Sequence, residues 1–210
     1  DPILVVTPAD QTIQNADAFI NALQNCISVV TGDASNKTIA ILGITPTAPE
    51  TGYGYIKRSG DKGSFAEYTV EQFVEKPNLE TAKAYLEDGN YFWNSGMFVL
   101  RTSTWLAALK EFRLDILGAT QKAWDQKTLD HADSTTFVRP NKEAFLACRS
   151  ESIDYAVIEQ FEKVVVIPFK GAWTDVGSWN AVAALSPADE SGNRISGQGV
   201  ASSARNTYIN

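Results

Sequence analysis

The run Thr38-Ile39-Ala40-Ile41-Leu42-Gly43-Ile44 has no polar side to offer to water. A strand of this kind must be covered on both faces, the condition of an interior parallel strand in a sheet flanked by helices. An earlier run, Ile3-Leu4-Val5-Val6, is closed by Thr7-Pro8, and between the two runs Phe19, Ile20, Leu23, Ile27 and Val30 recur at helical spacing. Strand, helix and strand in that order predict a right-handed crossover unit. Phe65 to Glu75 reads as a strand ended by Pro77, and Asn78 as the N-cap of a helix through Ala82, Tyr85 and Leu86 that Gly89-Asn90 terminates. Met97 to Leu100 reads as a strand, Trp105 to Phe112 as a helix capped by Thr102 or Ser103, and Ala144 to Cys148 as a further helix. Ser152 opens a helix carrying Tyr155, Val157, Ile158 and Phe161. Val164 to Ile167 is the last strong strand and Trp179 to Leu185 the last helix. The expected fold is α/β, a mixed and mostly parallel sheet with helices on both faces, over residues 1–185. Beyond Ser186-Pro187 the composition turns to Ser, Gly, Asn and Asp, so 186–210 reads as a linker or the start of a β-rich region.

Composition narrows the function. With 44% hydrophobic residues the chain can bury a core, which excludes disorder as its default state. Eighteen basic against 25 acidic residues leave a net charge of −7, the wrong field for nucleic acid or an anionic membrane as main partner. No apolar run approaches the length of a membrane span, and the start at Asp1-Pro2 lacks a secretory signal. Cys26 and Cys148 are too few for a disulfide framework, so a soluble, cytoplasmic protein with reduced thiols is expected. His131 is the only histidine, which discounts zinc chemistry and a Ser-His-Asp triad. A bound metal would take carboxylate ligands, the donor set of a hard cation such as Mg2+.

In open α/β sheets ligands collect at the carboxyl ends of strands. Asp10 follows the first strand and Asp175 the last strong one, so both carboxylates fall at one sheet edge, where two hard oxygen ligands could hold magnesium on a nucleotide. Either Asp alone would serve equally as a helix cap. Glu75-Lys76-Pro77 ends a strand with an acid and a base that point to opposite faces unless the chain bends. A bend would aim an ammonium at a phosphate and a carboxylate at sugar hydroxyls. Taken alone, the pair also reads as an exposed ion pair. In Gly52-Tyr53-Gly54-Tyr55, backbone N–H groups can approach a ligand beside flat rings, which suits a sugar, although the same residues would make a turn with packed tyrosines. Tyr91-Phe92-Trp93-Asn94-Ser95-Gly96 adds Asn94, able to donate and accept toward vicinal hydroxyls. Trp93 reads as core.

Read together, these segments resemble the sugar nucleotidylyltransferases, and most closely the bacterial mannose-1-phosphate guanylyltransferases. The matching stretches are Leu4-Val5-Val6-Thr7-Pro8-Ala9-Asp10, Pro49 to Ile56, Phe73-Val74-Glu75-Lys76-Pro77, Trp93 to Phe98, Ser152 to Glu159, and Trp173 to Trp179. The resemblance implies a Rossmann-like nucleotidyltransferase domain of three layers. In it a phosphate oxygen of mannose 1-phosphate attacks the α-phosphorus of GTP, giving GDP-mannose and pyrophosphate. It implies that Asp10 and Asp175 hold Mg2+, that Lys76 contacts the sugar phosphate, and that Glu75, Asn94 and the backbone at Gly54, beside Tyr55, bind the sugar. Asp154 and Tyr155 match a motif near the sugar pocket. Such a transfer needs positioning and charge neutralisation more than acid–base groups, which suits a site without histidine.

Two departures from the family's pattern stand out. Gln11 occupies the position where the family usually has a histidine. The family's glycine-rich loop, which cradles the triphosphate and carries a basic residue, has no counterpart in the chain. The expectation is therefore the downstream part of the catalytic domain, N-terminally truncated, inactive in isolation and prone to self-association as a homo-oligomer through uncovered sheet surface. The alternatives are a sugar-phosphate-binding or regulatory subunit, and a nucleotidylyltransferase for another sugar or base.

Overall fold

A computed structural model of the chain describes residues 1–132 and 134–210. The elements in chain order are β1 (Ile3–Val6), β2 (Thr12–Ile13), α1 (Ala16–Gly32), β3 (Ile39–Ile44), β4 (Tyr55–Ser59), β5 (Tyr68–Val74), α2 (Leu79–Asp88) and β6 (Tyr91–Arg101). They continue with α3 (Thr102–Phe112), α4 (Leu114–Asp125), β7 (Thr128–Ala132), β8 (Thr135–Arg139), α5 (Lys142–Leu146) and α6 (Ile153–Ala156). The last are β9 (Val164–Phe169), β10 (Trp173–Thr174), α7 (Trp179–Ala184), β11 (Arg194–Ile195) and β12 (Tyr208–Ile209).

The main sheet has six strands in the order β1-β6-β3-β9-β5-β4, and β4 also pairs with the start of β6. The registers set β1, β3, β4 and β9 running one way and β5 and β6 the other. Most strands thus share one direction, as expected, yet β3–β9 is the one parallel pair among hydrogen-bonded neighbours in this sheet. The long β6 lies between β1 and β3, so the unit β1-α1-β3 spans an intervening antiparallel strand.

Every residue of β3 is buried, and its side chains divide between two cores. Ala40, Leu42 and Ile44 pack with Ala22, Cys26 and Val30 of α1 and Ala82 of α2. Ile39 and Ile41 pack with Phe98, Leu100 and Val166, over which Trp105 of α3 and Ile153 of α6 close. These are the outer layers that a strand with no wet side requires. Burial pushes the Cys26 thiol up to about 12, so it is an inert core group, and Cys148 is also a free thiol. No helix among the described residues is long and apolar enough to cross a membrane.

Local signals act largely as the sequence predicts. Asn78 accepts from the N–H of Thr81 to open α2, and Gly89 closes it at φ 73°, a left-handed conformation that costs glycine nothing. The cap of α3 is different. Neither Thr102 nor Ser103 serves as N-cap, because the helix begins directly after β6 at Arg101. Instead Ser103 donates its N–H and hydroxyl to the carboxylate of Asp1, at 3.0 and 2.6 Å. The helix after Ser152 is one turn only, broken at Val157, with a short tight turn at Ile158–Gln160. From Ser186 onward the chain forms the small parallel pair β11–β12. Strand β1 is an edge strand, with Val5 and Val6 exposed.

Candidate active site

Asp10 and Asp175 follow strands that are not neighbours in the sheet, and a separate two-stranded ladder brings their loops together. Strand β2, just after Asp10, pairs antiparallel with β10, just before Asp175, in the register Ile13↔Trp173 and Thr12↔Thr174. Neither carboxylate caps a helix: Asn15 caps α1 and Ser178 caps α7. Asp10 is exposed and accepts no hydrogen bond among the described residues. Asp175 accepts from the Tyr53 hydroxyl at 2.8 Å and the Gly177 N–H at 3.1 Å, both on Oδ1. Burial, reinforced by this hydrogen bond, pushes the Tyr53 hydroxyl well above its ordinary pKa. Ala172 and Val176 flank the loop at φ 50° and 56°, a conformation that a β-branched residue adopts only when its surroundings impose it.

Gln11 takes a defined part in this assembly. Its Nε2 donates to the Ser95 carbonyl at 2.9 Å, and its Oε1 accepts from Trp173 Nε1 at 2.7 Å. Ser95 is itself buried, with its hydroxyl on the Leu42 carbonyl at 2.6 Å, beside the irregularity in the β3–β6 ladder.

The sugar-side residues gather around the same stretch of β6. Lys76 adopts φ 46°, so the chain bends at Lys76 itself and its ammonium returns to the adjacent Glu75 carboxylate at 3.2 Å. Glu75 is 14% exposed and Lys76 61%, which leaves the cation open to an incoming anion. The Glu75 carboxylate lies over Gly54: a Cβ there would stand 2.5 Å from Oε2, so a side chain at this position would push the carboxylate aside. The Gly54 carbonyl accepts from the Asn94 N–H at 2.8 Å. Asn94 then donates Nδ2–H to Asp154 at 2.9 Å and accepts from the Gly96 N–H at 3.0 Å. Asp154 is pushed above the ordinary carboxylate range by burial, against the bond from Asn94 and with the charge of Glu75 adding to the rise. Glu159 is raised too, first by burial and then by Glu75 and Asp154. These carboxylates form an acidic cluster with Lys76 as its cation.

One of the expected sugar ligands stands elsewhere. Tyr55 is fully buried, its hydroxyl donating to the Glu50 carbonyl at 2.8 Å, because β4 begins at Tyr55 between β5 and β6. It is a core residue and offers nothing to a ligand. Tyr155 is 49% exposed and meets Ser152 Oγ through its N–H as part of the α6 cap, with no side-chain hydrogen bond among the described residues. Two residues gain roles that sequence reasoning missed, Tyr53 through Asp175 and Glu159 through the acidic cluster. Both lie inside the matched stretches, but only the folded chain shows where they point.

A profile of the nucleotidyl transferase family matches residues 1–192. The chain belongs to that family. It is 44% identical over 208 residues to the xanthan biosynthesis protein XanB of Xanthomonas campestris pv. campestris (strain B100), a match covering 99% of the chain and 42% of that protein. It is 42% identical over 212 residues to the mannose-1-phosphate guanylyltransferase of Escherichia coli (strain K12), covering 100% of the chain and 43% of that protein. The chain thus spans less than half the length of these curated relatives. Among solved structures, one described as a mannose-1-phosphate geranyltransferase from Thermus thermophilus superposes with a TM-score of 0.78 at 30% identity, over 94% of the chain and 53% of that structure. A mannose-6-phosphate isomerase from Helicobacter pylori follows at TM-score 0.72 and 26% identity, over 82% and 63%.

Nucleotidyl transferases of this kind generally use a divalent metal. Among the described residues no three His, Cys, Asp or Glu side chains are placed to hold a metal ion by themselves. The donors that fit are the open carboxylate of Asp10 and Oδ2 of Asp175, both hard oxygens, with phosphate and water left to complete the shell.

Proposed function

We infer that the chain carries the sugar-phosphate and metal side of a mannose-1-phosphate guanylyltransferase, acting in the cytoplasm. The observation that carries this reading is the β2–β10 ladder, which sets the Asp10 and Asp175 loops side by side next to the turn holding Gly54. The relatives' names supply mannose 1-phosphate and a transferred guanylyl group, for which GTP is the donor we propose. In the reaction an oxygen of the sugar phosphate forms a bond to the α-phosphorus of GTP. The bond from that phosphorus to the bridging oxygen breaks, and pyrophosphate leaves with the electron pair.

Lys76 meets the phosphate of the sugar as a point charge, which its exposure permits. Glu75 and Asp154 accept from sugar hydroxyls, Glu75 from above Gly54 and Asp154 through the oxygen that Asn94 leaves open. Asp10 and Asp175 hold Mg2+. The bound ion supplies positive charge to the transferring phosphate. Residues 1–185 form the catalytic part and 186–210 lead away from it.

The test is release of pyrophosphate from GTP by this chain extended with the family's glycine-rich loop, which should require mannose 1-phosphate and a divalent cation together. Tight binding of mannose 1-phosphate with no release by the extended chain would overturn the enzyme reading in favour of a sugar-phosphate-binding subunit. Release driven equally by another sugar 1-phosphate would overturn the sugar assignment.

A further inference from the structure

Asp175 takes part in no ion pair among the described residues, and both donors that reach it, the Tyr53 hydroxyl and the Gly177 N–H, land on Oδ1. Two bonds to one oxygen fix the carboxylate plane and leave Oδ2 uncommitted. A half-buried tyrosine hydroxyl needs an acceptor, but any carbonyl or water would satisfy it. Here the acceptor is a carboxylate on a different loop, 122 positions away in sequence. The Tyr53 ring is held edge-on between Trp93, with centroids 5.1 Å apart, and Trp173, at 5.5 Å. Trp173 donates to Gln11, and Gln11 donates to the Ser95 carbonyl of β6. The path therefore runs unbroken from the main sheet, through the loop of Asp10, to the ring that orients Asp175.

The geometry points to Tyr53 as a positioning residue for the divalent cation, supported by Trp173 and Gln11: it holds Oδ1 of Asp175, so that Oδ2 would be the oxygen offered to a metal, and ties that orientation to the Gly52–Gly54 turn. This rests on the assignment of Asp175 as a metal ligand. A group that orients a ligating carboxylate behaves as part of the metal site, and its removal typically weakens metal binding about 10- to 100-fold.

The experiment titrates Mn2+ into the protein and its variants, reading free manganese by electron paramagnetic resonance, with thermal unfolding as the check on folding. In Tyr53→Phe the ring and its aromatic contacts stay and the donor is lost, so manganese binding should weaken about 10- to 100-fold. Affinity for mannose 1-phosphate in metal-free buffer should hold, because Glu75 and Lys76 are untouched. Trp173→Phe, which breaks the link to Gln11 but keeps an aromatic ring beside Tyr53, gives an independent reading and should weaken manganese binding several-fold. Unchanged manganese affinity in these folded variants, beside a clear loss in Asp175→Asn, would overturn the inference alone. Unchanged affinity in Asp175→Asn would overturn the metal assignment and the inference with it. Parallel loss of manganese and sugar-phosphate binding in Tyr53→Phe would mean a merely structural tyrosine, which also overturns it.

Discussion

The two ends of β9 carry aspartates in opposite states. Before the strand, Lys163 donates to Asp33 at 2.8 Å, and the same carboxylate also accepts from the Ser35 and Lys37 N–H groups and from the Ser35 and Thr38 hydroxyls. Beyond its other end, Asp175 uses one oxygen and Asp10 neither among the described residues. Asp33 is 10% exposed and still held far below the ordinary carboxylate range: burial opposes its ionisation, and the bonds from Lys163, Thr38 and Ser35 outweigh it. A carboxylate whose lone pairs are filled stabilises the fold. One left open at a sheet edge, with strained backbone beside it, is available for chemistry.

The contrast breaks if the two classes of aspartate respond alike. In the chain extended with the glycine-rich loop, Asp175→Asn should lower turnover in the pyrophosphate-release assay by about a hundredfold or more while leaving denaturant unfolding nearly unchanged. Asp33→Ala should do the reverse, losing about 2–3 kcal/mol of stability because several donors lose their acceptor at once, with turnover per folded molecule retained. The sign of the pH effect follows from a depressed folded pKa. The contribution of Asp33 is present above its unfolded pKa of about 4 and fades as pH falls toward its folded value. Wild type and Asp33→Ala should therefore converge in stability in acid.

The next effect in size is Lys76→Ala. Removing the cation from the acidic cluster should weaken mannose 1-phosphate binding about tenfold or more by calorimetry, since a charge-assisted bond is lost. Unchanged affinity would return Lys76 to the class of surface ions paired with a neighbour.

Asp154→Asn is the smallest perturbation of stability and the sharpest test of the open class. The folded pKa of Asp154 is raised, so its ionisation works against the fold as pH rises past its unfolded value. The Asn variant should match wild type in acid and equal or slightly exceed it, by about 1 kcal/mol, at neutral pH, measured by urea unfolding across pH. Its sugar-phosphate affinity should fall.

How far the sequence reaches depends on whether a residue's partner is local. The buried run at Ile39 to Ile44, the Asn78 cap and the Gly89 stop act within a few residues of themselves, and each appears where it is expected. Helix α4 and the β7–β8 hairpin were not expected. Every residue of β8 is exposed, so no alternation against a core marks it, and α4 packs on other helices instead of on the sheet. In the site, the sequence puts Asp10 and Asp175 after strands of one direction, but the β2–β10 ladder that brings their loops together was not expected. The bend that gathers Glu75 and Lys76 lies in the backbone of Lys76, where no glycine announces it. Tyr53 and Tyr55 look alike beside their glycines, yet one reaches Asp175 and the other Glu50, because pairing on both sides of β4 seals Tyr55 inside. Such long-range partners have no local signature.

Gln11 gives the link between β6 and the Trp173 loop a direction that does not depend on acidity. Its carboxamide has a donor end on Ser95 and an acceptor end on Trp173, and neither end changes with proton concentration. An imidazole at this position would offer the same two ends only while neutral, and on protonation both nitrogens would become donors and the contact with Trp173 would turn repulsive. With glutamine where the family resemblance leads one to expect histidine, the chain has a joint whose donor and acceptor ends acid does not exchange.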